Sequence, residues 1–289
     1  MKTIQIDSSQ DIRNFINHSN TEFCSYLYKL HEKNVSMEQG IASLQHDNDT
    51  GVYALVDDSD EIQMLIGGFA YDAHHYKMVG PFLAEKGAPD PADFKNLFET
   101  LAAQQADGTH FYFSFDVSDT YNNSLMKIID AHYTFTDYYL STDHTIETSN
   151  EAERHIIKYH KAFFSHFDRL HRKIFRRDAL TPSEITNSID ENNQLFFFVS
   201  EGILKGYLYL QMHPEAHSAE IRYFSSHTDY RHEGIAFNLL SYAINYAFKN
   251  EGIERVYFKI RSKNDKLVDR FSELAFDIRS ERKKFKYIK

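Results

Sequence analysis

Residues Ala219 to Asn250 read AEIRYFSSHTDYRHEGIAFNLLSYAINYAFKN, and a change of period inside this stretch decides the fold. Ala219 to Ser225 is short and rich in aromatic and branched residues, and polar Ser226, His227, Thr228 and Asp229 come after it, which predicts a strand and then a turn. From Ile235 onward Ala236, Leu239, Leu240, Ala243, Ile244 and Ala247 recur at the spacing of one buried helix face. Between strand and helix lies Arg231-His232-Glu233-Gly234-Ile235-Ala236. The first N–H groups of a helix lack internal partners, and with the positive end of the helix dipole they suit an anion. Gly234 lets the backbone approach closely, Ala236 keeps the first turn slim, and Arg231 can fork onto a phosphate. The turn is therefore read as a cradle for a pyrophosphate.

Working outward, a further strand is expected at Arg255 to Ile260, succeeded by Ser262-Lys263-Asn264 and a short helix. With this context the segment Leu195 to Phe276 resembles the acyl-CoA site of the GNAT superfamily of N-acetyltransferases, whose signature is Arg or Gln, two residues, Gly, one residue, then Gly or Ala. The resemblance implies acetyl-CoA as co-substrate, bound by Phe224, Ser225 and Ser226 along the strand and by Arg231, His232, Glu233, Gly234, Ile235 and Ala236 around the turn. It also implies a CoA contact from Asn264, for which a plain helix cap is the competing role. Glu220 matches the strand position that carries the catalytic glutamate in several members. Its alternative is a surface carboxylate paired with Arg222.

Three departures from the family pattern stand out. His232 and Glu233 occupy positions where Gly and Lys or Arg are common, and Glu233 sets a negative charge beside the proposed pyrophosphate. Phe271 aligns with the tyrosine that often protonates the leaving thiolate, and Ala275 with the glycine after it. Tyr223, Tyr242 and Tyr257 are available substitutes as the acid. A thiol pKa of ~8.5 makes thiolate a tolerable leaving group without one.

The chain also repeats itself. Val52 to Asp57 parallels Phe196 to Glu201, and Phe111 to Phe115 parallels Val256 to Ile260, at offsets of 144 (196 minus 52) and 145 (256 minus 111). Gly-led strands, Gly67 to Ala73 and Gly206 to Met212, come after the first of these in each half. The expected fold class is thus α/β, two tandem GNAT-like domains over 1–143 and 144–289, each a mixed, mostly antiparallel sheet flanked by helices. The two-copy layout is similar to that of mycothiol synthase. In the first copy the loop matching the cradle is Ala84-Glu85-Lys86-Gly87-Ala88-Pro89-Asp90, with no Arg–Gly spacing and two carboxylates that would oppose a phosphate. That copy is read as degenerate and without cofactor.

Helices are expected at Ser9 to His18, Thr21 to His31, Met37 to Gln45 and Pro91 to Ala106, and a long one from Asn150 to about Arg177. The last ends in Arg169, Arg172, Lys173, Arg176 and Arg177, which either complement its dipole or meet an anionic group of acceptor or CoA. Thr181-Pro182-Ser183-Glu184 is a capping box with proline at the first helical position.

Composition narrows the classes. A net charge of -10 argues against a general nucleic-acid binder and suits a cationic amine. No apolar run approaches the ~20 residues that cross a bilayer, and the first twenty residues lack a signal-peptide core, so a cytoplasmic protein is expected. The single cysteine, Cys24, excludes an internal disulfide, and the 16 histidines show no carboxylate constellation around them, so no metal is expected. The function expected is transfer of an acetyl group to a primary amine of a small molecule or peptide, by direct attack on the thioester, in a monomer or homodimer. The alternative is a non-catalytic acyl-CoA sensor; a tRNA-dependent aminoacyl transferase of related tandem fold is disfavoured by the shorter chain and its acidity.

Overall fold

The computed structural model describes residues 1–19, 24–26, 51–85, 87–146, 153–175, 179–230 and 233–289, with Tyr71 described by its backbone alone. By their contacts these fall into two units, residues 1–137 with 281–289, and residues 138–280. The sequence reading placed the junction at 143/144, inside a Thr/Ser/Asn stretch whose residues 147–150 lie outside the described ones.

The first unit opens with β1 (Lys2–Gln5), α1 (Ser9–Asn17), β2 (Val52–Val56), β3 (Ile62–Asp72) and β4 (His75–Leu83). β1 to β4 are joined in sequence as antiparallel neighbours. Then α2 (Pro91–Ala103) carries the chain to β5 (His110–Asp116), which runs parallel to β4. α2 buries Phe94, Leu97, Phe98 and Leu101, the face its periodicity predicts, and they pack with Phe111 and Phe113 of β5. α3 (Thr120–Ile128) and β6 (His132–Thr142) come next.

The second unit takes up β6 at Tyr138 and continues with β7 (Ile156–Lys158), α4 (Phe164–Ile174), α5 (Pro182–Asn187), β8 (Asn193–Ser200), β9 (Ile203–His213) and β10 (Ser218–Ser226). α6 (Ile235–Phe248), β11 (Arg255–Arg261) and α7 (Asp265–Ser272) complete it, before β12 (Asp277–Ile288) leads to the C-terminus. β7 to β10 are antiparallel neighbours, and β10 and β11 are parallel with α6 as the crossover. The fold class is the α/β arrangement read from sequence, and the predicted capping box is made by both hydrogen bonds, Thr181 N–H to Glu184 and Glu184 N–H to Thr181 Oγ1.

Four expectations change. The helix from Asn150 to Arg177 is instead a strand, a short 3-10 turn and a shorter helix, because Ile156 and Ile157 pair with Phe198 and Phe197 of β8 and His160 caps the 3-10 turn. Branched residues prefer that pleated position. The helix expected over 21–31 is absent at 24–26, where Ser25 bridges to Gly80 in antiparallel fashion; the rest of it, and the helix over 37–45, lie outside the described residues. In α6 the buried face begins with Ile235, while Ala236 is only half-buried. Finally, the end of the chain belongs to the first unit: β12 pairs antiparallel with β5 from Arg282↔Asp116 to Ile288↔His110.

Candidate active site

The parallel neighbours β10 and β11 pair at only three positions, Ser218↔Arg255, Ala219↔Val256 and Glu220↔Tyr257. β10 runs on to Ser226 and β11 to Arg261, but beyond Glu220 and Tyr257 they no longer pair with each other. The two strands therefore form a fork. One arm is held in place from behind, since β10 stays paired with β9 as far as Ser226↔Gly206. A register shift between Ile221 and Tyr223 makes Arg222 the extra residue of a bulge, which turns the arm just past the floor of the fork. A main chain that leaves its neighbour in this way offers its edge to the amides of an extended ligand.

The two faces of the fork differ. Successive strand residues face opposite ways. Phe224 from one arm and Phe258 from the other meet edge to face at 5.3 Å, and Phe271 of α7 stacks on Phe258 at 4.7 Å. Phe271 is fully buried in this cluster. On the other face stands Glu220, only 6% exposed. Lys259 Nζ donates to its Oε1 at 2.9 Å, Tyr257 Oη donates to Oε2 at 3.2 Å, and an Arg222 nitrogen lies 3.6 Å from Oε2. Burial opposes the charge, yet the two cations and the hydrogen bonds outweigh it and hold the carboxyl below its ordinary value. Glu220 is thus the ion-pair partner of Arg222 that the sequence allowed, but buried rather than on the surface. A carboxylate so held accepts a proton less readily than a free one.

Among the tyrosines considered as acid, Tyr257 sits at the floor of the fork, and burial beside Glu220 pushes its hydroxyl far above the ordinary value. Tyr223 accepts the Leu180 N–H at 3.0 Å and packs on His171. Tyr242 lies on α6 against Phe196 and Tyr246.

Beyond the fork comes the start of α6. Gly234 is its N-cap with φ 70° and ψ 6°, a left-handed conformation that favours glycine, and among the described residues no side chain caps the first turn. Among the described residues, a Cβ on Gly234 would meet nothing within 4 Å. At Gly206 the reverse holds: a Cβ there would come within 2.8 Å of Ile235 Cγ2, so the helix start is pressed directly onto the β9 backbone. Ile235 is consequently a core side chain, and only its main chain faces the turn. The Glu233 N–H donates to Tyr230 O at 3.1 Å, while its carboxylate lies 3.3 Å from Lys205 Nζ, itself 4.6 Å from the centre of the Tyr230 ring. Arg231 and His232 lie outside the described residues.

Asn264 occupies the N-cap position of α7 through its carbonyl, which accepts from Leu267 and Val268, but its side chain makes no capping bond. Ser225 is buried and Ser226 half-buried at the end of β10. In the first unit the matching helix start is closed by its own side chain: Asp90 Oδ1 accepts the Ala92 N–H at 2.8 Å, and Pro91 removes a donor.

Sequence reasoning did not find Lys259 or Lys205. The signal for the first was the alternation Tyr257, Lys259 on β11, facing a single acidic residue across the pair. An open groove along α4, lined by Phe164, Ser165, Asp168, Arg169, Arg172 and Lys173, shares no residue with the fork, and Arg172 there is paired with Asp168 at 2.8 Å. No group of three or more His, Cys, Asp or Glu among the described residues is placed to hold a metal ion. No described helix is long and apolar enough to cross a membrane.

Residues 158–276 match the acetyltransferase (GNAT) family. The fold is similar along its whole length to a GCN5-related N-acetyltransferase from Sphaerobacter thermophilus, at TM-score 0.68 and 11% identity over 99% of this chain and 95% of that one. It is also similar to a tandem GNAT protein from the clavulanic acid biosynthesis pathway, at TM-score 0.63 and 9% identity over 99% and 98% of the two chains. A GNAT-family acetyltransferase from Colwellia psychrerythraea gives TM-score 0.62 and 12% identity over 99% and 100%. No curated protein sequence matches the chain.

Proposed function

We propose, from the match of residues 158–276 to the acetyltransferase (GNAT) family, that the second unit moves an acetyl group from acetyl-CoA to a primary amine of a small molecule or peptide. The observation that carries this reading is the fork: β10 and β11 separate past Glu220 and Tyr257, and the arm of β10 leads to a helix start with glycine at its N-cap. In this reading the main chain of Phe224, Ser225 and Ser226 meets the amide-bearing arm of the co-substrate. The turn of Arg231, His232, Glu233, Gly234, Ile235 and Ala236 meets its pyrophosphate, and Asn264 contacts CoA from the far side.

The chemistry asks little of side chains. The neutral amine nitrogen attacks the thioester carbonyl and a C–N bond forms; the nitrogen gives up a proton as the C–S bond breaks, and the departing thiolate takes one up from solvent. An N–H of the β10 arm stabilises the oxyanion between those events. At a lysine-like pKa of ~10.4 only about one amine in a few thousand is neutral at pH 7, so losing a proton is the costly part. Glu220 is the base by position. Because its carboxyl is held low, it stays ionised from weakly acidic pH upward and is a weak base for as long as Lys259 and Arg222 hold it.

A second reading, an acyl-CoA sensor without turnover, is favoured by the fully buried Phe271 and by the engagement of Glu220 with Lys259 and Tyr257. Release of free thiol from acetyl-CoA, measured against a panel of amines, separates the two. Turnover with at least one amine supports the enzyme, and stoichiometric binding with no thiol release across the panel supports the sensor.

A further inference from the structure

The first unit contains a fork of the same construction. β4 and β5 are parallel and pair at three positions, His75↔His110, Tyr76↔Phe111 and Lys77↔Tyr112, after which β4 continues to Leu83 and β5 to Asp116 without pairing to each other. A register shift against β3, between Leu65 and Gly67, leaves Gly80 and Pro81 as the irregular step, just past the floor of the fork as Arg222 is in the other unit. This fork is filled. Ser25 N–H donates to Gly80 O at 3.0 Å and Gly80 N–H donates to Ser25 O at 3.3 Å, a strand-like exchange with the β4 arm. From the opposite arm the Ser114 N–H donates to Ser25 Oγ at 2.9 Å.

The neighbours of Ser25 are fixed as well. Cys24 Sγ donates to Pro81 O at 3.3 Å, and the Arg282 guanidinium donates to both Cys24 O and Ser114 O, at 3.0 and 2.7 Å. Lys284 donates to Ser114 Oγ at 2.7 Å and, with Lys77, faces the Tyr26 ring. Cys24 and Ser25 are 3% and 0% exposed and Tyr26 is 9% exposed, so this is core and not a surface crossing. Gly80 has φ 101° and a Cβ there would lie 2.9 Å from Leu65 O, so β4 presents bare backbone to the inserted segment.

We propose that Cys24-Ser25-Tyr26 is a built-in ligand of the first unit, occupying the place between β4 and β5 that the second unit keeps for the acyl arm of its co-substrate. The chain therefore binds acyl-CoA in one unit and not in both. The functional parallel between the two forks rests on the role proposed for the second unit, whereas the occupancy of the first fork does not.

Cys24 is the chain's single cysteine, so its labelling by an aromatic disulfide under native conditions reports this segment alone. Ser25→Ala takes the acceptor from the buried Ser114 N–H, a loss of about 1–2 kcal/mol that corresponds to roughly five- to thirtyfold faster labelling through local opening. Wild-type labelling should stay the same with saturating acetyl-CoA, and hydrogen exchange at 78–83 and 112–116 should not respond to it. The proposal is overturned if Ser25→Ala leaves labelling unchanged, or if acetyl-CoA alters labelling or exchange at those positions. Exchange over 222–237 reports the second unit separately: no response there counts against acetyl-CoA as its co-substrate and leaves the first-unit readout as it stands. Ser25→Thr keeps the acceptor and should label like the wild type, which guards against general misfolding.

Discussion

Lys259 Nζ lies 2.9 Å from Glu220 Oε1, so the arm of β11 reaches back, from two residues past the last paired position, to the residue of β10 that ends the pairing. Beyond that position the strands diverge, so the ion pair is the lock at the base of the fork. Glu220→Gln removes the charge shared by Lys259 and Arg222, whose side chains are each 25% exposed. Because both cations keep some solvent, the loss is smaller than for a fully buried pair, about 1–3 kcal/mol of stability in the second unit. Urea unfolding followed by aromatic signals checks it.

The same carboxyl sets an acid limit. Its folded-state pKa is lowered, so the stability it contributes is present above the ordinary carboxylate value and is lost as pH falls through the folded one. Glu220→Gln should be less stable than wild type at neutral pH, with the gap closing only at strongly acidic pH. The rate of the wild type should rise with pH along the ionisation of the acceptor amine, with no limb from Glu220 between pH 6 and 9. A basic limb that moves in Glu220→Gln would show a base of raised pKa instead.

His171 is 1% exposed and lies between Tyr207 Oη at 2.7 Å and Leu180 O at 2.9 Å. Burial is the main cause that lowers its pKa. The unfolded chain then binds a proton before the folded one, so stability is complete above about 6.5 and declines as pH falls toward the folded value. Denaturation midpoints at pH 7 and pH 5 should differ in the wild type and differ less in His171→Asn, which has no ionisable ring.

Glu233 lies 3.3 Å from Lys205 at the mouth of the helix. Glu233→Gln takes the negative charge from the proposed pyrophosphate site and releases the Lys205 ammonium toward it. At 50% exposure of Glu233 the effect is modest, about two- to tenfold tighter acetyl-CoA, and it should shrink as salt is raised. Calorimetric titration at two ionic strengths measures it.

Ala275 has φ 54°, in the left-handed region. The chain closes α7 there, with Phe276 N–H donating to Phe271 O. A Cβ in the left-handed region is strained, so Ala275→Gly should raise stability by about 1 kcal/mol without touching the aromatic cluster. A lower thermal midpoint for that variant would show the strain to be absent.

How much of the structure is legible in the sequence depends on the range of the interactions involved. The strand-turn-helix around Gly234, the buried face of α2 and the capping box of α5 are set by neighbours within a few residues, and periodicity shows them. Glu220 was legible as a position but its environment was not, because Tyr257 and Lys259 stand 37 and 39 residues away and arrive only when β11 lies down beside β10. Ile156 fits a helical stripe with Phe163, Phe167, Leu170 and Ile174 as well as a strand, and pairing with β8 settled it. β12 escaped notice for the same reason: nothing local in Arg282 to Ile288 says that its partner is β5 of the other repeat. Ser25 shows the limit most clearly, since its bonds reach Gly80 and Ser114 from within an apolar run that reads as helix.

The central claim is that the turn before α6 in the second unit holds the diphosphate of acetyl-CoA. Calorimetric titration of wild type and Arg231→Ala with acetyl-CoA tests it most directly. The account predicts one equivalent bound by the wild type and an affinity at least tenfold weaker in the variant, in keeping with about 1.5–3 kcal/mol for a charge-assisted contact. Equal affinities in the two proteins, or no binding by the wild type, would contradict it.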